Sequence, residues 1–258
     1  MSSTDQPEKA TAFKAFHVPG DPLVLTNIWD AGSAQAVTNA GAKALATGSA
    51  SVAMARGFTD GEDIPLSTLL SVLAEITQAT DLPVSADFET GFAEGVDGLV
   101  ANIEQLIATG VVGINFEDQV IATGALRPID EQVERISTVR AASQGQDLDL
   151  FINARTDVFL KEPDQDRHPG LVGEAKERLA AYTEAGASGA FVPGLSDHDL
   201  IADLCETLAL PVNVMAMGDE VNRSRLAGLG VARISAGPAP YRRAMAGLEE
   251  EARRALAS

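Results

Sequence analysis

Five ionisable side chains stand just beyond short apolar runs, where they could act together on one small molecule: Asp60, Asp87, Glu89, Glu117 and Arg155. Asp87 and Glu89 follow Val84-Ser-Ala86, and residues two apart in an extended segment point to the same side, so both carboxylates can face one point. Glu117 closes the next run, and Asp60 lies in the loop after the run before. Like charges gathered this closely must share protons or bind a cation. An all-oxygen set with no Cys or His cluster favours Mg²⁺ or Mn²⁺ over zinc, and Mg²⁺ keeps waters, so some of the four carboxylates can act through water. The competing reading is that strand-end carboxylates cap the helices that follow, which suits Asp118 and Asp157 better.

Arg155 ends the apolar stretch Leu148-Asp-Leu-Phe-Ile-Asn-Ala, and its planar donors suit a two-pronged grip on a substrate carboxylate. The alternative is a salt bridge that orders Glu117 or Asp157. Thr47-Gly48-Ser49 offers successive backbone N–H groups and two hydroxyls, suited to an anion, or else merely small residues packing in a turn. His17, His168 and His198 are scattered without metal-ligand spacing, no Gly-x-Ser-x-Gly occurs, and the glycine-rich stretches lack a phosphate-loop lysine. A histidine-based triad is thereby disfavoured. Cys205, the one cysteine, sits in a helical pattern without an electropositive setting and reads as a buried structural thiol.

The elements that must hold these residues are eight short apolar runs: 23–28, 42–47, 84–86, 112–116, 148–154, 189–192, 212–215 and 232–235. Amphipathic segments separate them, for example 67–77, 98–108, 129–142 and 173–185, which is the pattern of a parallel sheet covered by helices. Gly41, Gly110, Gly186 and Gly230 each end a helix before a run, while Leu82-Pro83-Val84 and Leu210-Pro211-Val212 do the same work with proline. No linker or low-complexity tract divides the 258 residues. The pattern therefore predicts an α/β chain folded as one (β/α)₈ barrel over 1–258, with 1–12 flexible and a C-terminal helix over 241–257. In such a barrel the loops after the strands gather at one mouth, where the singled-out residues would meet.

The formal charge of -18 would repel phosphate backbones and anionic membranes, so neither nucleic acid nor a membrane is an expected partner. A small anionic substrate would need a local positive site. No run of about 18 apolar residues and no basic-then-apolar N-terminus is present, which predicts a cytoplasmic protein.

Together these motifs resemble the isocitrate lyase/phosphoenolpyruvate mutase superfamily from about Phe13 to about Ala244. The carriers are Asn27-Ile-Trp-Asp30-Ala-Gly-Ser-Ala, Thr47-Gly48-Ser49-Ala, Asp60-Gly, Asp87-Phe-Glu89-Thr-Gly91-Phe, Gly113-Ile-Asn-Phe-Glu117-Asp118 and Asn153-Ala-Arg155-Thr-Asp157. The resemblance implies Mg²⁺ near Asp87, bound directly or through water by Asp60, Glu89 and Glu117. It further implies a 2-oxo acid whose carboxylate rests on Thr47, Gly48, Ser49 and Arg155, with Asp60, Arg155 and Glu117 as catalytic residues. It also implies a homo-oligomer, a tetramer or dimer, with the last helix exchanged between barrels.

Two departures bear on the reaction. Lyases of the superfamily carry a Lys-Lys/Arg-Cys-Gly-His-Arg loop after the fourth strand. Here that stretch is Gln119-Val-Ile-Ala-Thr-Gly-Ala-Leu-Arg127-Pro128, without the acid thiol and without the Lys and Asn of phosphonate-forming mutases. The glutamate that lyases place after the sixth strand corresponds to Gly194, while Asn213 and Met215 remain to line the pocket. The expected activity is Mg²⁺-dependent C–C cleavage, decarboxylation or hydrolysis of a small 2-oxo or 2-hydroxy dicarboxylate, oxaloacetate- or methylisocitrate-like, through a metal-stabilised enolate. The proton would come from water on the metal or from the 119–128 loop. The alternatives are P–C bond chemistry on phosphoenolpyruvate or phosphonopyruvate, and a non-catalytic 2-oxo acid binding protein.

Overall fold

All eight apolar runs become strands in the computed structural model, which describes residues 5–216 and 222–257. The first run is interrupted at Thr26 into β1 (Leu23–Leu25) and β2 (Asn27–Ile28). There follow β3 (Leu45–Thr47), β4 (Val84–Asp87), β5 (Gly113–Glu117), β6 (Phe151–Arg155), β7 (Gly189–Phe191), β8 (Val212–Met215) and β9 (Arg233–Ser235). Every pairing is parallel, in the order β1-β9-β8-β7-β6-β5-β4-β3-β2. Because β1 pairs with β9 and β2 with β3, the broken first run joins both edges of the sheet and closes an eightfold barrel. The fold is the expected (β/α)₈ type.

The helices wrap this barrel: α1 (Asp5–Ala15), α2 (Ala31–Asn39), α3 (Ser49–Ala55), α4 (Leu66–Gln78), α5 (Val96–Ala108), α6 (Ile129–Gly145), α7 (Val172–Glu184), α8 (His198–Thr207), α9 (Arg223–Gly228) and α10 (Ala239–Leu256). The glycines read as helix stops, Gly41, Gly110, Gly186 and Gly230, all have φ between 88° and 100°. That left-handed backbone ends a helix at little cost only for glycine. Cys205 lies half-buried in α8, where burial pushes its thiol up to about 11 and keeps it protonated.

The N-terminus departs from expectation. The segment read as flexible through residue 12 is helical from Asp5, because Ala10 and Phe13 are buried and the Gln6 amide donates to the carbonyls of Ile107 and Val111. Phe13 and His17 then pack on the Phe151 ring, at 5.4 and 4.0 Å between centroids, and close the barrel below the first residue of β6. His17 is neutral there, its pKa lowered to about 3 by burial and by the charge of Arg233.

Above this plug the interior is polar, where barrels of this type usually stack apolar side chains. Asn115 of β5, Asn153 of β6 and Arg233 of β9 are all at most 4% exposed and hydrogen-bonded to one another. Gly189 of β7 makes room for them, since a Cβ there would lie 2.8 Å from Asn153 Oδ1. No helix among the described residues is long and apolar enough to cross a membrane.

Candidate active site

The mouth of the barrel holds a cavity of about 250 Å³. Of the residues singled out from the sequence, Gly48, Ser49, Asp60, Asp87 and Arg155 line it, as does Met215. Thr47, Glu89, Glu117 and Asn213 are not in its wall; they are buried and act on those that are.

Asp87 is held on three sides. Its backbone N–H donates to Thr47 Oγ1 (2.9 Å), while Oδ2 accepts from the Ser49 N–H (2.9 Å) and Oδ1 from the Asn115 amide (3.1 Å). Thr47 therefore ties β3 to β4 and does not line the cavity. The anion nest expected at Thr47-Gly48-Ser49 is already taken, because the Gly48 N–H goes to Ile28 and the Ser49 N–H to Asp87. The first-turn amides of α3 that no carbonyl accepts are one position later, at Ala50 and Ser51, and both residues line the cavity.

Arg155 combines both readings made of it. Its Nε and Nη2 grip Asp157 at 2.6 and 2.9 Å, and its Nη1 contacts Glu117 at 2.7 Å. The two-pronged face expected for substrate is thus spent on Asp157. A guanidinium has five N–H donors, so two are left over, and Arg155 lines the cavity. Burial lowers its pKa, but Glu117 and Asp157 outweigh burial and raise it, so the charge is permanent.

The carboxylates are electrostatically crowded. Burial pushes Glu89 up to about 8, reinforced by repulsion from Asp60, Asp87 and Glu62. Glu117 is raised by burial and by Asp157, Asp87 and Glu89, against the pull of Arg155. Asp60 is exposed at the rim, yet the part of it turned into the cleft and the charge of Asp87 raise it too, against a hydrogen bond from Ser49. None of the four caps the helix that follows: α4, α5 and α6 begin at Pro65, Gly95 and Pro128 without side-chain caps. Nor do Asp118 and Asp157 act as caps. Asp118 accepts from the Asp157 N–H and from Tyr182, and Asp157 pairs with Arg155.

Among the described residues, no three His, Cys, Asp or Glu side chains converge tightly enough to enclose a metal by themselves. The donor set still fits a hydrated hard cation: only oxygens, mutually repelling, with Asp87 oriented on the cavity wall and the others behind it or at the rim. A divalent ion there would be held by Asp87, with Asp60, Glu89 and Glu117 reached through water.

The departures from the lyase pattern have structural counterparts. Residues 119–128 form a tight turn closed by the Gln119–Leu126 bridge, and none of them lines the cavity. Gln119 reaches Glu117 (3.4 Å) and accepts from Lys161 (2.5 Å), so the turn lies against β5. Gly194 has φ +87°, and a Cβ there would meet the Leu160 backbone at 2.8 Å, leaving no place for a glutamate.

Two residues escaped the sequence reading. Asn115 lines the cavity and orients Asp87, yet it sits inside an apolar run. Arg242, in the first turn of α10, lines the rim with no carboxylate partner among the described residues. Its signal, an arginine near the start of the last helix, gains meaning only once that helix is seen to begin at the mouth.

Comparison with known proteins agrees with this fold. A solved structure of a candidate phosphonomutase from Burkholderia cenocepacia J2315 superposes with a TM-score of 0.94 at 44% identity, covering 97% of this chain and 99% of its own. The 2-methylisocitrate lyase of Escherichia coli (strain K12) is 30% identical over 209 residues, 78% of this chain and 67% of the relative. A phosphonopyruvate hydrolase solved with oxalate and Mg²⁺ shares the fold with a TM-score of 0.83 at 22% identity, over 95% and 86% of the two chains. The family model for phosphoenolpyruvate phosphomutase matches residues 13–256, and the chain belongs to that family, within the isocitrate lyase/phosphoenolpyruvate mutase superfamily of lyases and mutases.

Proposed function

We propose that this chain is a Mg²⁺- or Mn²⁺-dependent enzyme that cleaves a C–C bond in a small 2-oxo or 2-hydroxy dicarboxylate, oxaloacetate-like or methylisocitrate-like. The observation that carries this reading is a cavity of about 250 Å³ lined by Asp60, Asp87, Arg155 and, at the rim, Arg242, which has no carboxylate partner among the described residues. One end suits a cation and the 2-oxo acid chelated to it. The other suits a second anionic group. A bound divalent ion would supply positive charge to the keto oxygen, lowering the cost of charge growing there by something on the order of several kcal/mol.

The residues divide the remaining work. The two free N–H groups of Arg155 and the Ala50 and Ser51 amides receive the reacting carboxylate. Asp60 lines the cavity, and burial and the charge of Asp87 raise its pKa, which suits it to proton transfer at the site, whereas no residue of the 119–128 turn lines the cavity. The apolar Leu160, Phe191 and Met215 exclude water beside the reacting carbons. Family relatives and fold neighbours include C–C lyases, decarboxylases and P–C enzymes, and the likeness to the Burkholderia protein favours P–C chemistry as the second reading. Against it stands the absence of a lysine in residues 119–128. We further propose a homo-oligomer built through α10, which carries no buried residue of its own.

The test is incubation of the protein with Mg²⁺ and a panel of 2-oxo and 2-hydroxy dicarboxylates and phosphonopyruvate, following pyruvate, CO₂ and phosphate. Turnover of dicarboxylates supports the first reading and phosphate release the second; binding without turnover would leave a 2-oxo acid binding protein. Asp87→Ala is expected to abolish Mg²⁺-dependent thermal stabilisation, and an undiminished shift in that variant refutes the metal site.

A further inference from the structure

Arg233 is a residue that the proposed chemistry does not use. It is fully buried in the barrel, 1% exposed, and among the described residues it has no carboxylate in contact and its Nε and Nη1 have no hydrogen-bond partner. A charge so placed is costly, and an apolar side chain would give an ordinary barrel layer. Its one hydrogen bond crosses the barrel from β9 to β5, where Nη2 donates to Asn115 Oδ1 at 3.1 Å. Asn153 Nδ2 donates to the same oxygen at 2.8 Å, and Asn115 Nδ2 donates to Asp87 Oδ1 at 3.1 Å.

We propose that Arg233 is a positioning residue that fixes the polarity of Asn115, so that the amide always turns its N–H toward Asp87 and holds that carboxylate ready for a cation. The argument rests on what each group can do. An asparagine amide has a donor and an acceptor of nearly equal shape, and Asn153 could turn its oxygen toward Asn115 as readily as its nitrogen. A guanidinium can only donate. Arg233, a pure donor, and the Asp87 carboxylate, a pure acceptor, are therefore the two ends of the chain that cannot be inverted, and Arg233 holds the two asparagines in the sense that Asp87 requires. With the sense reversed, Asn115 Oδ1 would face Asp87 Oδ1, oxygen against oxygen. The positive charge acts in the same direction: burial draws the Arg233 pKa down to about 10 while Asp87 pulls it back up.

This inference rests on the proposed metal site, and its test separates the two. Mn²⁺ binding is measured by the paramagnetic resonance signal of the free ion in wild type, Arg233→Met, Arg233→Lys, Asn115→Leu and the Arg233→Met/Asn115→Leu double variant. Groups that orient metal ligands typically cost 10- to 100-fold in affinity when lost. Arg233→Met should weaken Mn²⁺ by about that factor with an unchanged circular dichroism spectrum, and Arg233→Lys, still a pure donor, should recover most of it. The double variant should bind no more weakly than Asn115→Leu alone, because the arginine acts only through Asn115. Wild-type affinity in Arg233→Met, or losses that multiply in the double variant, would overturn the proposal. If Arg233→Met does not fold, Arg233→Gln, which can accept as well as donate, takes its place with the same expectation. If wild type binds no Mn²⁺, the metal reading falls, and metal-free crystal structures decide the relay: Asn115 turned away from Asp87 in the arginine variant supports it, and an unmoved 3.1 Å contact rejects it.

Discussion

Glu89 illustrates what it takes to gather acidic side chains in one place. Its carboxyl is 5% exposed and raised from 4.5 to about 8 by burial and by Asp60, Asp87 and Glu62. Below about pH 4.5 the group is protonated in folded and unfolded chains alike. Between about 4.5 and 8 the unfolded chain ionises while the folded one keeps the proton, so this residue takes stability away as pH rises through that window. Glu89→Gln should therefore stabilise the metal-free protein at pH 8.5, by roughly 2–4 kcal/mol from about 1.4 kcal/mol per pH unit, and change little at pH 4.5. Urea denaturation in EDTA measures this; a gap equal at both pH values sinks the account. Mg²⁺ should close the gap by stabilising the wild type alone. At the rim, Arg242→Ala should raise KM for a dicarboxylate about tenfold or more while changing kcat little, since a distal grip contributes binding without chemistry. A fall in kcat at constant KM would place Arg242 at the reacting atoms instead. Asp87 and Arg155 at strand ends, and Asp60 in the loop between α3 and α4, were legible because position relative to an apolar run is a local signal. Asn115, Arg233 and Arg242 were not, since their meaning lies in contacts across the barrel or in where a helix starts.

Among the elements, the loops after β3 and β4 are stitched into one unit by Glu62. Its Oε1 accepts from the Thr90 N–H, the Thr90 hydroxyl and the Phe92 N–H, and its own N–H donates to Glu89 Oε2. Three non-glycine residues in this unit, Glu62, Glu89 and Phe92, have φ between 48° and 59°, backbone that such residues rarely hold without support. Asp60, two residues before Glu62, lines the cavity together with Asp87. Glu62→Ala should strand three donors, cost roughly 1–3 kcal/mol of stability, and speed hydrogen exchange across 57–65 and 88–95. Unchanged exchange in those segments would show that the loops hold without it. The repeated strand-and-helix pattern was readable because strands buried on both faces appear as continuous apolar runs, while helices buried on one face keep a period of 3.6. The break at Thr26 and the clasp of Glu62 were not, being set by closure of the barrel and by hydrogen bonds between loops.

For the whole molecule the open question is what covers α10. The helix leaves the mouth at Ala239 and is fixed there by Tyr241 against Trp29, with ring centroids 5.2 Å apart. Beyond that turn no residue is buried, and Met245, Leu248 and Leu256 stand exposed at helical spacing, a stripe that water alone does not account for. Beside this stripe the helix carries Glu249–Arg253 and Glu250–Arg254 pairs, as a solvent-facing surface should. A net charge of -18 opposes association, so any contact must come from a stripe of this kind. Because Arg242 belongs to the same helix as the stripe, assembly would also steady one wall of the cavity. Wild type should therefore elute as a dimer or tetramer by size exclusion with light scattering, and Leu248→Glu should shift it toward monomer. That variant should also lose dicarboxylate affinity while keeping Mg²⁺-dependent stabilisation, since the carboxylate cluster lies on other elements. A wild type that is monomeric at micromolar concentration would show that the stripe serves no second copy of this chain.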